Sequence, residues 1–342
     1  MGDLSGQPML SVLDRVPDGL IETPAGRINS VLPGPTLIHL PGRRPEPLFV
    51  SALLHGNEDT GLNALQAVFA KYRAQPLPRA LSVFIGNVEA AASNLRRLDG
   101  QPDYNRVWPG ADTAGLPEHL MMERIVDELR QRSVFASIDI HNNTGTNPNY
   151  ACVNELDERF LYLATLFSRT VVYFRRPLGV QSAALSKLCP AVTVECGKPG
   201  NAANEGRAIE LIEAALRLDH FPEHPVPRQD LDLYHTVGIV KVPRDVTFTF
   251  AGHEADIRFD SKIDHMNFRD LPAGTVLAEL MTSRAIPLDV LAEDGNHVAD
   301  LYLERTATQL RLKRPATPSM LTLDERAIRQ DCLCYLMERI AL

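Results

Sequence analysis

Between residues 46 and 219, short apolar runs rich in β-branched and aromatic residues alternate with stretches whose apolar positions recur every three or four residues. Leu48 to Leu54 ("LFVSALL") reads as a buried strand. Leu62, Leu65, Phe69 and Tyr72 then mark one face of a helix starting near Thr60, with Asp59 or Thr60 able to cap it. "ALSVFIGNV" predicts the next strand, and "PEHLMMERIVDELRQR" an amphipathic helix with Pro117 suited to its first turn. "VFASIDIH", "VVYF" and "AVTVEC" predict strands, whereas "NELDERFLYLATLFSRT" and residues 203–218 predict helices. Strand and helix in alternation imply an α/β sheet covered on both faces.

The pattern then changes. Residues 220–230 ("HFPEHPVPRQD") carry three prolines and neither period, so they read as a linker. Beyond it come short β-like runs, "HTVGIVKV", "VTFTF", "TVLAEL" and "IPLDVLAEDGNHVADLYLER", the last with a tight-turn sequence, "EDGN", between two expected strands. The final "LDERAIRQDCLCYLMERI" reads as helix or as helix followed by strand. The expected organisation is an α/β domain over residues 1–220 and a smaller, mostly β domain over 231–342.

Composition narrows the partners. A formal net charge of −8 argues against a nucleic-acid backbone. No apolar run approaches the ~20 residues of a membrane span. The N-terminal "MGDLSGQPML" fits neither a secretory leader nor a myristoylation signal. Cys152, Cys189, Cys196, Cys332 and Cys334 are odd in number and irregularly spaced, which fits free thiols in a reducing cytoplasm better than a disulfide framework.

Three expected strands end in groups that bind metals or move protons: His55 with Glu58 after the first, His141 after "SIDI", and Glu195 in "TVECG". In α/β sheets such groups collect where the carboxyl ends of strands open to solvent. One His-x-x-Glu pair and a distant second His can form a zinc triad with a fourth position open to water. A separate carboxylate beside that water can move its proton, and Glu195 suits the role, because an unpaired carboxylate in an apolar strand is costly. Asp139 lies two residues before His141 and so shares its face on a strand, where it could orient a metal-bound imidazole. Asn142 and Asn143, directly after that histidine, could line a substrate pocket or simply form the turn.

The ordered set "HGNE", "GN" at 86–87, "DYNRVWPG", "DIHNNTG" and "VECG" resembles the zinc carboxypeptidase superfamily, in its succinylglutamate desuccinylase and aspartoacylase branch. The resemblance implies a mixed sheet with helices on both faces, a β-rich domain after it, and one zinc per chain on His55, Glu58 and His141. It implies Glu195 as the catalytic carboxylate and Asn105 with Arg106 as the pair that binds a substrate carboxylate. Arg suits that task because its planar fork grips a carboxylate at two points. The family also has an upstream arginine that stabilises the oxyanion. "RRLDGQPD" offers Arg97, the preferred match, or Arg96, and departs from the family in spacing and in Leu98 where an aromatic is usual.

What the resemblance implies is hydrolysis of the amide of a small N-acyl amino acid carrying a carboxylate. A metallocarboxypeptidase acting on peptides is the alternative enzyme, and a zinc or ligand-binding module without activity is the alternative class. Glu195 weighs against the last, since a binder needs no general base.

Overall fold

The computed structural model describes residues 10–252, 254–284 and 286–341; the N-terminal signal region considered above lies, up to residue 9, outside them. The chain divides into two compact units, one of residues up to 142 with 149–232, the other of residues 143–148 with 233 onward.

In the first unit, β1 (Ser11–Leu13), β2 (Thr36–Leu40), β3 (Leu48–Ala52), β4 (Leu81–Ile85), β5 (Ala136–His141), β6 (Tyr150–Val153), β7 (Thr170–Tyr173) and β8 (Ala191–Glu195) pair in the order β1-β2-β4-β3-β5-β8-β6-β7. β4, β3, β5 and β8 run parallel, while β2 and β6 join them antiparallel, so the sheet is mixed. Every residue of β3, β4, β5 and β8 is buried, the reason these strands read as continuous apolar runs.

The helices are α1 (Thr60–Tyr72), α2 (Val88–Ala92), α3 (Pro117–Gln131), α4 (Glu158–Thr165), α5 (Gln181–Leu185) and α6 (Ala202–Arg217). Ser51, Phe84, Asp139 and Thr193 stand in register on one face of the sheet, and Ala52 and Ile140 on the other. α1 lies on the second face, so closely that a Cβ on Gly61 would sit 2.9 Å from the Ala52 Cβ. The first face is covered by α5, through Gln181 to Ser137 (2.8 Å) and Thr193 to Ser182 (3.0 Å), and by Trp108, edge-on to Phe84. Helices therefore cover both faces.

Several elements differ from the sequence expectation. The helix expected over "NELDERFLYLATLFSRT" is confined to α4, because Asp157 caps it and the Ser168 hydroxyl, bonded to the Asn149 carbonyl and accepting from Thr170 N–H, turns the chain into β7. The strands β1, β2 and β6 and the helices α2 and α5 add to the elements expected from the sequence. Asp59, an expected cap of α1, makes no capping bond; the Asn142 side chain accepts from Thr60 N–H instead.

The second unit holds β9 (Asp232–Lys241), β10 (Phe248–Thr249), β11 (Ile257–Phe259), β12 (Val276–Leu280), β13 (Asp289–Leu291), α7 (Ala299–Tyr302), β14 (Leu303–Thr306), β15 (Gln309–Leu312), β16 (Thr317–Ser319), α8 (Glu325–Gln330) and β17 (Cys334–Arg339). β10-β11-β12-β15-β14 form a five-stranded sheet; β16 pairs β17, which pairs β9, which also pairs β13. The "EDGN" turn does form, closed by Ala292 N–H to the Asn296 carbonyl (2.9 Å), and the chain returns across it as an isolated antiparallel bridge, Leu291 to His297, before α7, while β13 also pairs β9. The last segment divides into α8 and β17. Among the described residues no helix is long and apolar enough to cross a membrane.

One buried base of the first sheet carries a pH prediction. His39 on β2 bonds Ser82 Oγ through Nδ1 (2.8 Å), and its Nε2 has no partner. Burial, then Arg132 nearby, lower its pKa from 6.5 to about 4. Between those values the unfolded chain binds a proton that the folded one does not, so His39 makes stability fall as pH drops from about 6.5 to about 4. Urea titrations of His39→Gln across that window should show a shallower decline than wild type, and an identical slope would refute the assignment.

Candidate active site

β3, β5 and β8 deliver their carboxyl ends to one edge of the sheet. Beyond β3 the chain turns at Leu53, which holds a φ of 54°, a left-handed conformation costing a non-glycine residue about 1–2 kcal/mol. Asn87 N–H to the Leu53 carbonyl (2.6 Å) and Gly86 N–H to the Ala52 carbonyl (3.0 Å) hold the turn. The turn places His55, and Gly56 then passes so close to α2 that a Cβ there would meet Ala91 N at 2.2 Å. The H-G-N-E glycine is therefore a packing requirement. Asn87, noted in the sequence as "GN", caps α2 and ties its amide to Gln101, thereby bracing the loop that carries the arginines.

His55, Glu58 and His141 are all buried, and one donor atom from each lies within 4.8 Å of the others. Glu58 faces both imidazoles through their Nδ1 atoms, Oε1 at 2.9 Å from His55 and Oε2 at 2.7 Å from His141. The Nε2 atoms point away to carboxylates, His55 to Asp103 Oδ1 (3.0 Å) and His141 to Asp139 Oδ2 (2.7 Å). With a carboxylate placed to take the proton of each Nε2, Nδ1 is left on each ring as the atom that faces Glu58.

The electrostatics agree with a cation site. Burial raises the Glu58 pKa, but His55 and His141 outweigh it and hold the carboxyl well below its usual range. Burial and then Arg96 lower the His55 pKa, but Glu58 and Asp103 prevail and raise it; at His141 burial is likewise overcome by Asp139 and Glu58. The carboxylates thus favour positive charge at both imidazoles. Two imidazole nitrogens and one carboxylate, each braced from behind, are the donor chemistry of a zinc centre.

Glu195 closes β8 directly opposite His141 in the register of β5 and β8, so both side chains emerge on the same face. Burial raises the Cys196 thiol pKa, and the Glu195 and Glu58 carboxylates raise it further, so this neighbouring thiol stays protonated. The five cysteines form no disulfide.

The two arginines separate. Arg96 reaches into the cluster, Nη2 on Asp103 Oδ2 (2.9 Å) and Nη1 3.7 Å from Glu58 Oε1. Arg97, preferred on sequence, donates instead to the Gln101 carbonyl, and its Nε is buried without a partner. Local spacing could not distinguish the adjacent arginines, because which one faces inward depends on the path of the loop after Asn94, itself left-handed at a φ of 52°. Asn142 does not present its amide to a pocket. It bonds the Thr60 hydroxyl (2.9 Å) and the Gly197 carbonyl (2.9 Å), while its own N–H donates to Glu58 Oε2 (3.2 Å). It joins the ends of β5 and β8 to the start of α1. Asn143 belongs to the second unit, where it accepts from Asn147 (3.1 Å). Asn105 and Arg106 lie beside the cluster: Arg106 Nη1 bonds the Asn105 carbonyl (2.8 Å), and its charge, after that of Arg96 and His55, helps keep the buried Asp103 ionised. Asp103 and Ser51 were not singled out in the sequence for these roles. The signals were there, a carboxylate two residues before the Asn-Arg pair and a polar residue in an otherwise apolar strand.

This fold and cluster define a mixed α/β scaffold with a candidate metal centre at its strand ends. The chain belongs to the succinylglutamate desuccinylase/aspartoacylase family, whose catalytic-domain profile matches residues 46–216. The fold is shared with the succinylglutamate desuccinylase of Chromobacterium violaceum, with a TM-score of 0.56 and 18% identity over 88% of this chain and 86% of that one. Murine aminoacylase 3 matches with a TM-score of 0.55 and 16% identity over 87% and 95% of the two chains. A product-bound ectoine utilization protein from Ruegeria pomeroyi matches with a TM-score of 0.54 and 13% identity over 89% and 88%. Among curated proteins none matches the sequence.

Proposed function

We propose that the protein is a zinc-dependent deacylase that cleaves the amide bond of a small N-acyl amino acid. The observation that carries this reading is the buried His55–Glu58–His141 donor set with Glu195 in register beside it. Zinc held there would supply a water acidified toward neutral pH and would polarise the scissile carbonyl. Glu195 takes the proton of the attacking water and returns it to the departing amine. Arg96, not Arg97, faces the donor set and offsets the negative charge that develops on the carbonyl oxygen. Arg106, braced on the Asn105 carbonyl, receives the substrate carboxylate and sets the amide against the centre. The products are a carboxylic acid and an amino acid. The odd number and irregular spacing of its cysteines, which suit a reducing compartment, support assignment to the cytoplasm.

A screen of acetyl- and succinyl-amino acids beside short peptides, read by release of free amine, tests the assignment. Turnover of one or more acylated amino acids and no trimming of peptides is the expected result. Trimming of peptides alone would make the enzyme a carboxypeptidase, and no turnover by the zinc-loaded protein would make it a binding module.

A further inference from the structure

Asn105 stands where the family motif puts a substrate ligand, yet both ends of its amide are occupied inside the protein. It is 5% exposed. Its Oδ1 accepts from the backbone N–H of Gln181 (2.8 Å), a group that can only donate, so the orientation of the amide is settled. Its Nδ2 consequently faces Asp139 Oδ2 at 3.2 Å, with His141 Nε2 alongside at 3.1 Å. Gln181 opens α5 and is itself pinned by its side chain to Ser137 (2.8 Å).

Asp139 is wholly buried and takes three donors: the Ser51 hydroxyl on Oδ1 (2.6 Å), and Asn105 Nδ2 and His141 Nε2 on Oδ2. Ser51 and Asn105 grip it from opposite oxygens, leaving the carboxylate one orientation. Held so, the carboxylate is placed to accept a proton from His141 Nε2, with Nδ1 aimed at Glu58. A carboxylate with one grip removed can rotate or draw in water, and the imidazole it holds loses its plane and tautomer.

From this geometry we infer that Asn105 is a positioning residue: through Asp139 it fixes His141 as a metal ligand, and recognition of the substrate carboxylate falls to Arg106 without it. The inference rests on the zinc reading above. Ser51 is its counterpart on the other oxygen of the same carboxylate and has no part in binding substrate.

The test needs only zinc. Zinc affinity, measured by chelator competition on purified full-length protein without substrate, is expected to fall on the order of 10–100-fold in Asn105→Ala. Ser51→Ala should weaken it in the same direction, and the double variant should lose less than the sum of the two, because both act through Asp139. Cobalt-substituted Asn105→Ala should show a shifted visible absorption band, which a substrate ligand would leave unchanged. Zinc affinity within about twofold of wild type in folded Asn105→Ala, or strictly additive losses, would overturn the inference. If Asn105→Ala does not fold, Ser51→Ala, which removes one oxygen atom, decides alone: wild-type zinc affinity there counts against it. A wild-type protein that binds no zinc would instead overturn the proposed function, so the two failures are distinct.

Discussion

Glu195→Gln is expected to abolish amide hydrolysis while leaving zinc content and fold as in the wild type. The substitution is isosteric and keeps a hydrogen-bonding side chain at the end of β8, opposite His141. What it removes is the ability to accept and return a proton, a contribution typically worth about 10²–10⁴-fold in rate. Single-turnover release of amine from the best acylated amino acid in the screen, with metal analysis of the same sample, checks both halves. Rates close to wild type would remove Glu195 as the base. Loss of zinc would make it a metal ligand instead.

His141→Ala should fail differently, losing the metal and much of the stability of the first unit together. The imidazole lies between two buried carboxylates, Glu58 on Nδ1 at 2.7 Å and Asp139 on Nε2 at 2.7 Å. Removing it deletes a ligand and leaves both carboxylates without the group that compensates them, a loss of the kind that costs about 3–5 kcal/mol when a buried pair is broken. For a unit of this size the melting temperature should fall by roughly 6–20 °C, and bound zinc should drop from about one per chain to nearly none. A His141→Ala protein that melts like the wild type and still holds one zinc would place the metal elsewhere. Glu195→Gln is the control: it too alters a buried polar residue, yet should cost neither metal nor stability.

Much of the first unit was legible because strand and helix periods are local. β3 ends at Ala52, two residues short of the apolar run, and the turn at Leu53 places His55, whereas "SIDIH" runs to the end of β5 and delivers His141 directly. The alternation of side chains along a strand is enough to put Asp139 and His141 on one face. In the second unit, "LDERAIRQDCLCYLMERI" left helix and helix-then-strand both open, and α8 followed by β17 decides between them. The "EDGN" turn closes locally, but that β13 also pairs β9 was not legible, because that partner lies some fifty positions away.

By itself, then, the sequence determined the alternation of strand and helix, the strand ends that carry His55, His141 and Glu195, and the turn that brings Glu58 back beside His55. Each depends on neighbours within a few residues. Only the tertiary structure decided which of two adjacent arginines faces the cluster, that Asn142 clamps Glu58 and α1, that residues 143–148 belong to the second unit, and that Asn105 holds Asp139. Those outcomes depend on where a loop crosses a sheet and which strand lies beside which. Buried polar groups must find partners there, because an unmet hydrogen bond in the interior costs about 1–3 kcal/mol, and the partners lie far away in sequence.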